Sequence, residues 1–252
     1  MRWVHSHSGK LQVSSTGAGR ADPLVGNGII SVFGAQAESV GNECGFSTGL
    51  PGLDALAPGG KLARGAIHEL LFHPAHGPPL TPALLLHQAH QTSCLFFSDP
   101  SRTLYPPALA GRGVDPGRLY VLRPSSREQE LWAVAECLRC RAVTTVVARF
   151  DRLSRVEARK LQLAAEAGGG VGVVLRPTGR GSDIYAAVTR WLVEPARGDR
   201  TVQKWKLQLI HGHGGHVGHT ILLEVSRETG LVRTVDRLSD RPASTTAASR
   251  TA

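Results

Sequence analysis

A phosphate-binding loop, a metal cluster, a thiol pair and an activated serine each leave a spacing signature in sequence. The chain offers a candidate for each. The strand-like run AIHELLF ends on Phe72, which opens the segment Phe72-His-Pro-Ala-His-Gly77-Pro78-Pro79 before an apolar helical stretch. In an α/β protein that junction is where a phosphate rests on a helix N-terminus. A working loop reads G-x-x-x-x-G-K-S/T, its Lys meeting the β/γ-phosphates and its hydroxyl holding Mg²⁺. Here only Gly77 fits. Phe72 replaces the first Gly, Pro78 the Lys and Pro79 the hydroxyl residue, and each proline removes an N–H that a phosphate cradle needs. The expectation is a structural loop without nucleotide.

The other candidates are weaker. His211, His213, His216 and His219 form H-x-H-x-x-H-x-x-H. Imidazoles this close could gather a metal, but the interleaved glycines leave them unfixed at a hairpin tip, so a basic or polar turn and no metal are expected. Cys137 and Cys140 form a C-x-x-C pair inside a run of helical periodicity, with no second pair to complete a zinc site; core cysteines are expected. Gly45-Phe-Ser47-Thr-Gly49 matches G-x-S-x-G, yet no apolar strand precedes it, as a nucleophile elbow requires. Among the cations, Arg176 and Arg180 bracket a Gly-containing loop and could meet phosphates. Lys204 and Lys206 alternate with Trp205, which on a strand places both on one side. These four are candidate DNA or partner contacts, set against a solvated strand face and a plain turn.

The balance of charge gives the second reason to consider nucleic acid. The chain has 29 Lys and Arg against 20 Asp and Glu, a formal charge of +9. Such a surplus favours an anionic partner. The N-terminal MRWVHSHSGK lacks the apolar centre of a signal peptide, and no apolar run approaches the ~20 residues of a membrane span. A cytoplasmic protein is expected.

The elements that must hold these residues follow from periodicity. Residues 1–45 are Gly- and Ser-rich and aperiodic, a loosely ordered arm. From 46 to 227 the pattern is that of one domain: a short helix near residues 50–56, a strand over 66–72, a helix from PALLLHQAHQT, strands CLFFSD and LYVLRP, a helix from Ser126, the strand AVTTVVARF, a helix RVEARKLQLAAEA ended by Gly168 to Gly170, and the strand VGVVL. Strands alternating with helices imply a mainly parallel sheet covered on both faces. AAVTRWLVEPARG, TVQKWKLQLI and HTILLEVS then read as consecutive antiparallel strands. Residues 237–252 form a Ser/Thr/Ala tail, expected to be disordered.

The order of elements resembles the core of the RecA recombinase family, a P-loop NTPase fold. STG, LD and GG followed by the GAIHEL strand resemble the approach to that family's phosphate loop. Phe97 to Phe150 is similar without a gap, and YAAVTRWLVEP, TVQKWKLQLI and ILLEV resemble its closing strands. The resemblance, which spans residues 46 to about 226, implies further positions. The family's catalytic Glu, two residues after the equivalent of Asp99, falls on Ser101. Its adenine-stacking Tyr falls on Ala108, and its metal-site Asp falls on Arg149, where a cation would repel Mg²⁺. The degenerate nucleotide site is thus Phe72, Gly77, Pro78, Pro79, Asp99, Ser101 and Arg149. With the phosphate Lys, both Mg²⁺ ligands and the water-activating group missing, no catalytic residue remains and no ATPase activity is expected.

LYPPAL, RKLQLAAEAGG and VLRP, with the altered loop after LD-x-L-x-P-G-G, resemble the ImuA family, to which the cell-division inhibitor SulA is related. That resemblance implies a DNA-damage (SOS) role in error-prone translesion synthesis. The implied partners are an ImuB-like protein, an error-prone DNA polymerase and, further, RecA, with DNA met directly or through them and no cofactor. Alternatives are a SulA-like cell-division inhibitor and a single-stranded DNA-binding protein with a degenerate nucleotide site.

Overall fold

The computed structural model describes residues 30–32, 45–88, 94–179 and 187–235. The arm and tail expected at 1–45 and 237–252 lie almost wholly outside these. The exceptions are β1, Ile30–Val32, and the start of β2, Gly45–Phe46. In chain order there follow α1 (Pro51–Asp54), β3 (Leu62–Ala63), β4 (Ala66–Phe72), α2 (Leu80–Gln88), β5 (Leu95–Ser98), α3 (Pro106–Ala110) and β6 (Leu119–Leu122). Then come α4 (Arg127–Arg139), β7 (Thr145–Arg149), α5 (Arg155–Gly168), β8 (Val171–Pro177), β9 (Thr189–Ala196), β10 (Val202–Gly212), β11 (Thr220–Ser226) and β12 (Val232–Val235).

Ten of the strands form one sheet in the order β1-β6-β5-β7-β8-β4-β9-β10-β11-β12, and β2 pairs with β3 separately. From β6 to β9 every neighbouring pair is parallel. β9 to β12 are mutually antiparallel, and β1 closes the other edge antiparallel to β6. This is the α/β architecture expected of a RecA-like domain. Edge strands as short as β1 and β12 carry too little periodicity to be read from sequence. β12 takes the sheet beyond residue 227, where the sequence pattern ends.

β4 and β8 are buried along their whole length, as continuous apolar runs at the centre of a doubly covered sheet should be. Leu70, Phe72, Phe97, Val147, Leu175 and Trp191 face one layer of the core with α1 and α2. Ile67, Phe96, Val146, Ala148 and Val174 face the other, with α4 and α5. Caps fix the two long helices. The Ser126 hydroxyl accepts from the Gln129 N–H at 3.2 Å. Ser154 and Glu157 form a reciprocal capping box at the start of α5, and α5 ends on Gly169 in the left-handed conformation, the usual C-terminal device. The C-terminal ends of the parallel strands therefore line up one edge, where open α/β sheets bind ligands.

Candidate functional site

At that edge the loop after β4 is folded on itself. Pro74–His76 make a single 3₁₀ turn. The Ala75 N–H donates to His73 Nδ1 at 3.3 Å. The N–H groups of His76, Gly77 and Leu80 donate to the carbonyls of His73, Pro74 and Pro78 at 2.9, 3.3 and 3.0 Å. Pro78 and Pro79 have no N–H. Every backbone donor between residues 75 and 80 is thus engaged within the loop, and none is left to converge on an anion. Gly77 has φ 68°, a left-handed value that explains the one glycine kept here.

Phe72 and Arg149 are brought together. The Phe72 ring is buried, and the Arg149 guanidinium lies 5.7 Å from its centroid. The same guanidinium pairs with Asp151 at 3.1 Å. A cation on an aromatic face contributes about 0.5–1 kcal/mol when exposed. The two residues that the resemblance aligns with a first glycine and a metal carboxylate are thus in contact with each other.

Asp99 is buried and serves its own turn. One carboxylate oxygen accepts from the Thr103 N–H at 2.9 Å and the Ser101 hydroxyl at 3.3 Å. The other accepts from the Leu104 N–H at 3.0 Å. Arg102, in the same turn, has φ 57°. Ser101 and Ala108 are exposed, and a neutral serine hydroxyl is too weak a base to take a proton from water. Next to Asp99, the Ser98 hydroxyl donates to Glu130 at 2.6 Å. Burial pushes the Glu130 carboxyl above its ordinary range, against the opposing Ser98 hydrogen bond and the Arg127 charge.

Arg176 requires a correction. It lies inside β8, with its side chain buried, not on a loop. Its guanidinium donates to Glu69 at 2.6 Å, and the other Glu69 oxygen accepts from Arg190. Glu69 stands on β4 beside Arg190 in parallel register, and all three side chains are buried. The expected loop contact is therefore a cross-strand ion-pair network, placed there because β8 runs two residues past VGVVL. Glu69 and Arg190 carried a sequence signal of their own. A carboxylate inside an otherwise apolar strand needs a buried cation.

His68, also on β4, is the other polar residue missed by motif reading. Its Nε2–H donates to the Ala63 carbonyl at 2.9 Å, and its Nδ1 accepts from the Thr189 hydroxyl at 2.7 Å. That hydroxyl accepts from the Trp191 indole at 2.9 Å. The chain of donors suits a neutral imidazole. Burial lowers its pKa to about 4, opposed by the hydrogen bond to Ala63.

Lys204 and Lys206 do lie on one face of β10, with Trp205 buried on the other. Both meet carboxylates. Lys204 contacts Glu224 at 2.6 Å, and Lys206 lies 3.9 Å from Glu194. Glu224 also pairs with Arg233, and the hydrogen bonds from Lys204 and then Arg233 hold its carboxyl below the ordinary range. Arg180 lies outside the described residues.

The remaining motifs separate. His211 and His213 contact edge to face at 5.2 Å, and His216 stacks on His219 at 5.3 Å. Burial is the chief cause that lowers the His211 pKa, with the His213 and Arg190 charges adding to it. Among the described residues no group of three His, Cys, Asp or Glu side chains could hold a metal ion. Cys137 is a core residue, but Cys140, also expected in the core, is exposed at the C-cap of α4, one residue past its last helical position. Ser47 donates to Asp54 at 2.5 Å, and Thr48 gives Asp54 two more hydrogen bonds at 2.8 Å. The S-T-G and L-D pieces therefore brace α1 rather than build a nucleophile. Among the described residues no helix is long and apolar enough to cross a membrane.

No family model matches the chain. Curated relatives do. The chain is similar to the proteins named Protein ImuA from two strains of Caulobacter vibrioides, each 27% identical over 230 residues that cover 81% of this chain and 94% of the relative, in agreement with the ImuA resemblance that LYPPAL and RKLQLAAEAGG carry.

Proposed function

We propose that the chain is a RecA-like accessory protein of damage-induced mutagenesis that works without hydrolysing ATP. It acts as an adaptor in error-prone translesion synthesis, joining an ImuB-type protein and an error-prone DNA polymerase, with RecA as a further partner, in the cytoplasm. The similarity to the ImuA proteins along 81% of the chain supports the biological role. The observation that carries the mechanism is the loop over residues 72–79. Its N–H groups at Ala75, His76 and Gly77 are engaged internally, and Arg149, which the resemblance aligns with a metal carboxylate, lies against the Phe72 ring. Removing the nucleotide machinery while keeping the sheet leaves a scaffold whose value is its surface.

On that surface Lys204 and Lys206 are matched by Glu224 and Glu194. This favours contact with DNA through partners over a bare phosphate track along β10. Deleting the gene tests the role. Mutation frequency after DNA damage should fall to the undamaged level and return with the wild-type copy, and affinity capture after damage should enrich the polymerase partners. Unchanged induced mutagenesis would refute the proposal. Filamentous cells on overexpression, with mutation frequency unaltered, would favour the SulA-like alternative.

A further inference from the structure

α5 presents a second apolar face to solvent. Its buried side is Ala158, Leu161, Gln162, Ala164 and Ala165. At about 100° per residue, Val156 and Leu163 sit on the opposite side, one above the other. Their exposures are 79% and 46%, high for aliphatic side chains on a helix already packed on its other face. Exposed Ala167 continues the ridge. Positive side chains line its edges. Arg155 and Arg159 fall on one flank and Lys160 on the other, with exposed Arg152 just before the first turn. Arg159 reaches Glu166 at 3.5 Å; Arg155 and Lys160 have no ion-pair partner among the described residues. The only carboxylate in the first turn, Glu157, is engaged by the capping box and Arg127.

We propose that this ridge is a docking surface for an acidic amphipathic helix of a partner protein. Aliphatic side chains at the centre would seat the partner's apolar stripe, and the flanking cations would meet its carboxylates. The centre of the arc separates this occupant from nucleic acid. A surface built for phosphates puts cations on the axis of contact, whereas here the axis is Val156 and Leu163. From Val156 to Ala167 the ridge is about 16 Å long, enough for two to three turns of a partner helix. A contact of that size is small, so the affinity should be modest and salt-sensitive. The inference rests on α5 alone and stands whether or not the damage-tolerance role holds.

The test is fluorescence anisotropy with the full chain and a labelled synthetic helix of about four turns, with Leu along one face and Glu on the others. The comparison probes are a scrambled peptide of the same composition, a version with Lys in place of Glu, and an oligothymidine strand. The acidic amphipathic peptide should bind at least about tenfold tighter than either other peptide, a difference of about 1.4 kcal/mol. Val156→Ser with Leu163→Ser should weaken it about tenfold, and so should Arg155→Glu with Lys160→Glu, while both variants keep the wild-type melting temperature. Equal binding of the scrambled peptide, or affinity unmoved by either pair of substitutions, would overturn the proposal. So would an oligothymidine affinity that falls with the Val156 and Leu163 changes.

Discussion

Arg149 covers the Phe72 ring, at a position where the resemblance would put the bare backbone of a phosphate loop's first glycine. Such losses are legible in sequence because each chemical role demands one residue type at one spacing. Networks joining distant strands are not. Glu69, Arg176 and Arg190 meet only because β8 and β9 flank β4, which no local pattern announces. That network makes a firm expectation. Glu69→Gln leaves buried guanidinium groups without their carboxylate, and breaking a buried pair in this way costs about 3–5 kcal/mol. Urea denaturation should show the loss as a lower midpoint at unchanged slope; a change within about 0.5 kcal/mol would mean the network is solvated. His68 gives a pH dependence. Its pKa is about 4 in the fold against 6.5 as a free side chain, so the unfolded chain binds the extra proton between those values. The His68 contribution is complete above about pH 6.5 and is lost as pH falls toward about 4, by up to about 3 kcal/mol. The decline should flatten in His68→Gln, measured by denaturation across that window.

The helices and central strands were legible because their periodicity is long. β4 matches the apolar run over 66–72, and Ser126 caps α4 where the sequence places it. What stayed hidden was where elements touch. Gly168 shows this. It reads as part of a helix stop, yet a Cβ there would stand 1.9 Å from the Leu138 carbonyl oxygen. The α5 C-terminus thus rests on the end of α4 through a glycine. Gly168→Ala must push the helices apart, and overpacking of this kind costs about 1–3 kcal/mol. A fall in melting temperature of several degrees should follow, and an unchanged melt would show that α5 ends elsewhere. On β10 the cations were legible and their partners were not, since Glu194 and Glu224 come from the strands on either side. Lys204→Ala with Lys206→Ala should therefore change single-stranded DNA affinity less than about twofold, by filter binding or anisotropy. A large loss would return this face to the list of DNA contacts.

At the scale of the whole molecule the chain keeps a ten-stranded sheet with helices on both faces, while the loop after β4 closes on itself. The fold class followed from the alternation of strands and helices. The surface of α5 did not, because a stripe of Val156 and Leu163 becomes visible only once the opposite stripe is known to be buried. The proposed division is a structural core that no longer turns over ATP and an exterior that assembles other proteins. The most direct measurement is phosphate release by the purified chain with ATP and Mg²⁺, with and without single-stranded DNA. The expected result is release indistinguishable from the protein-free blank in both conditions. DNA-stimulated turnover that disappears on changing Gly77 or Asp99 would contradict it.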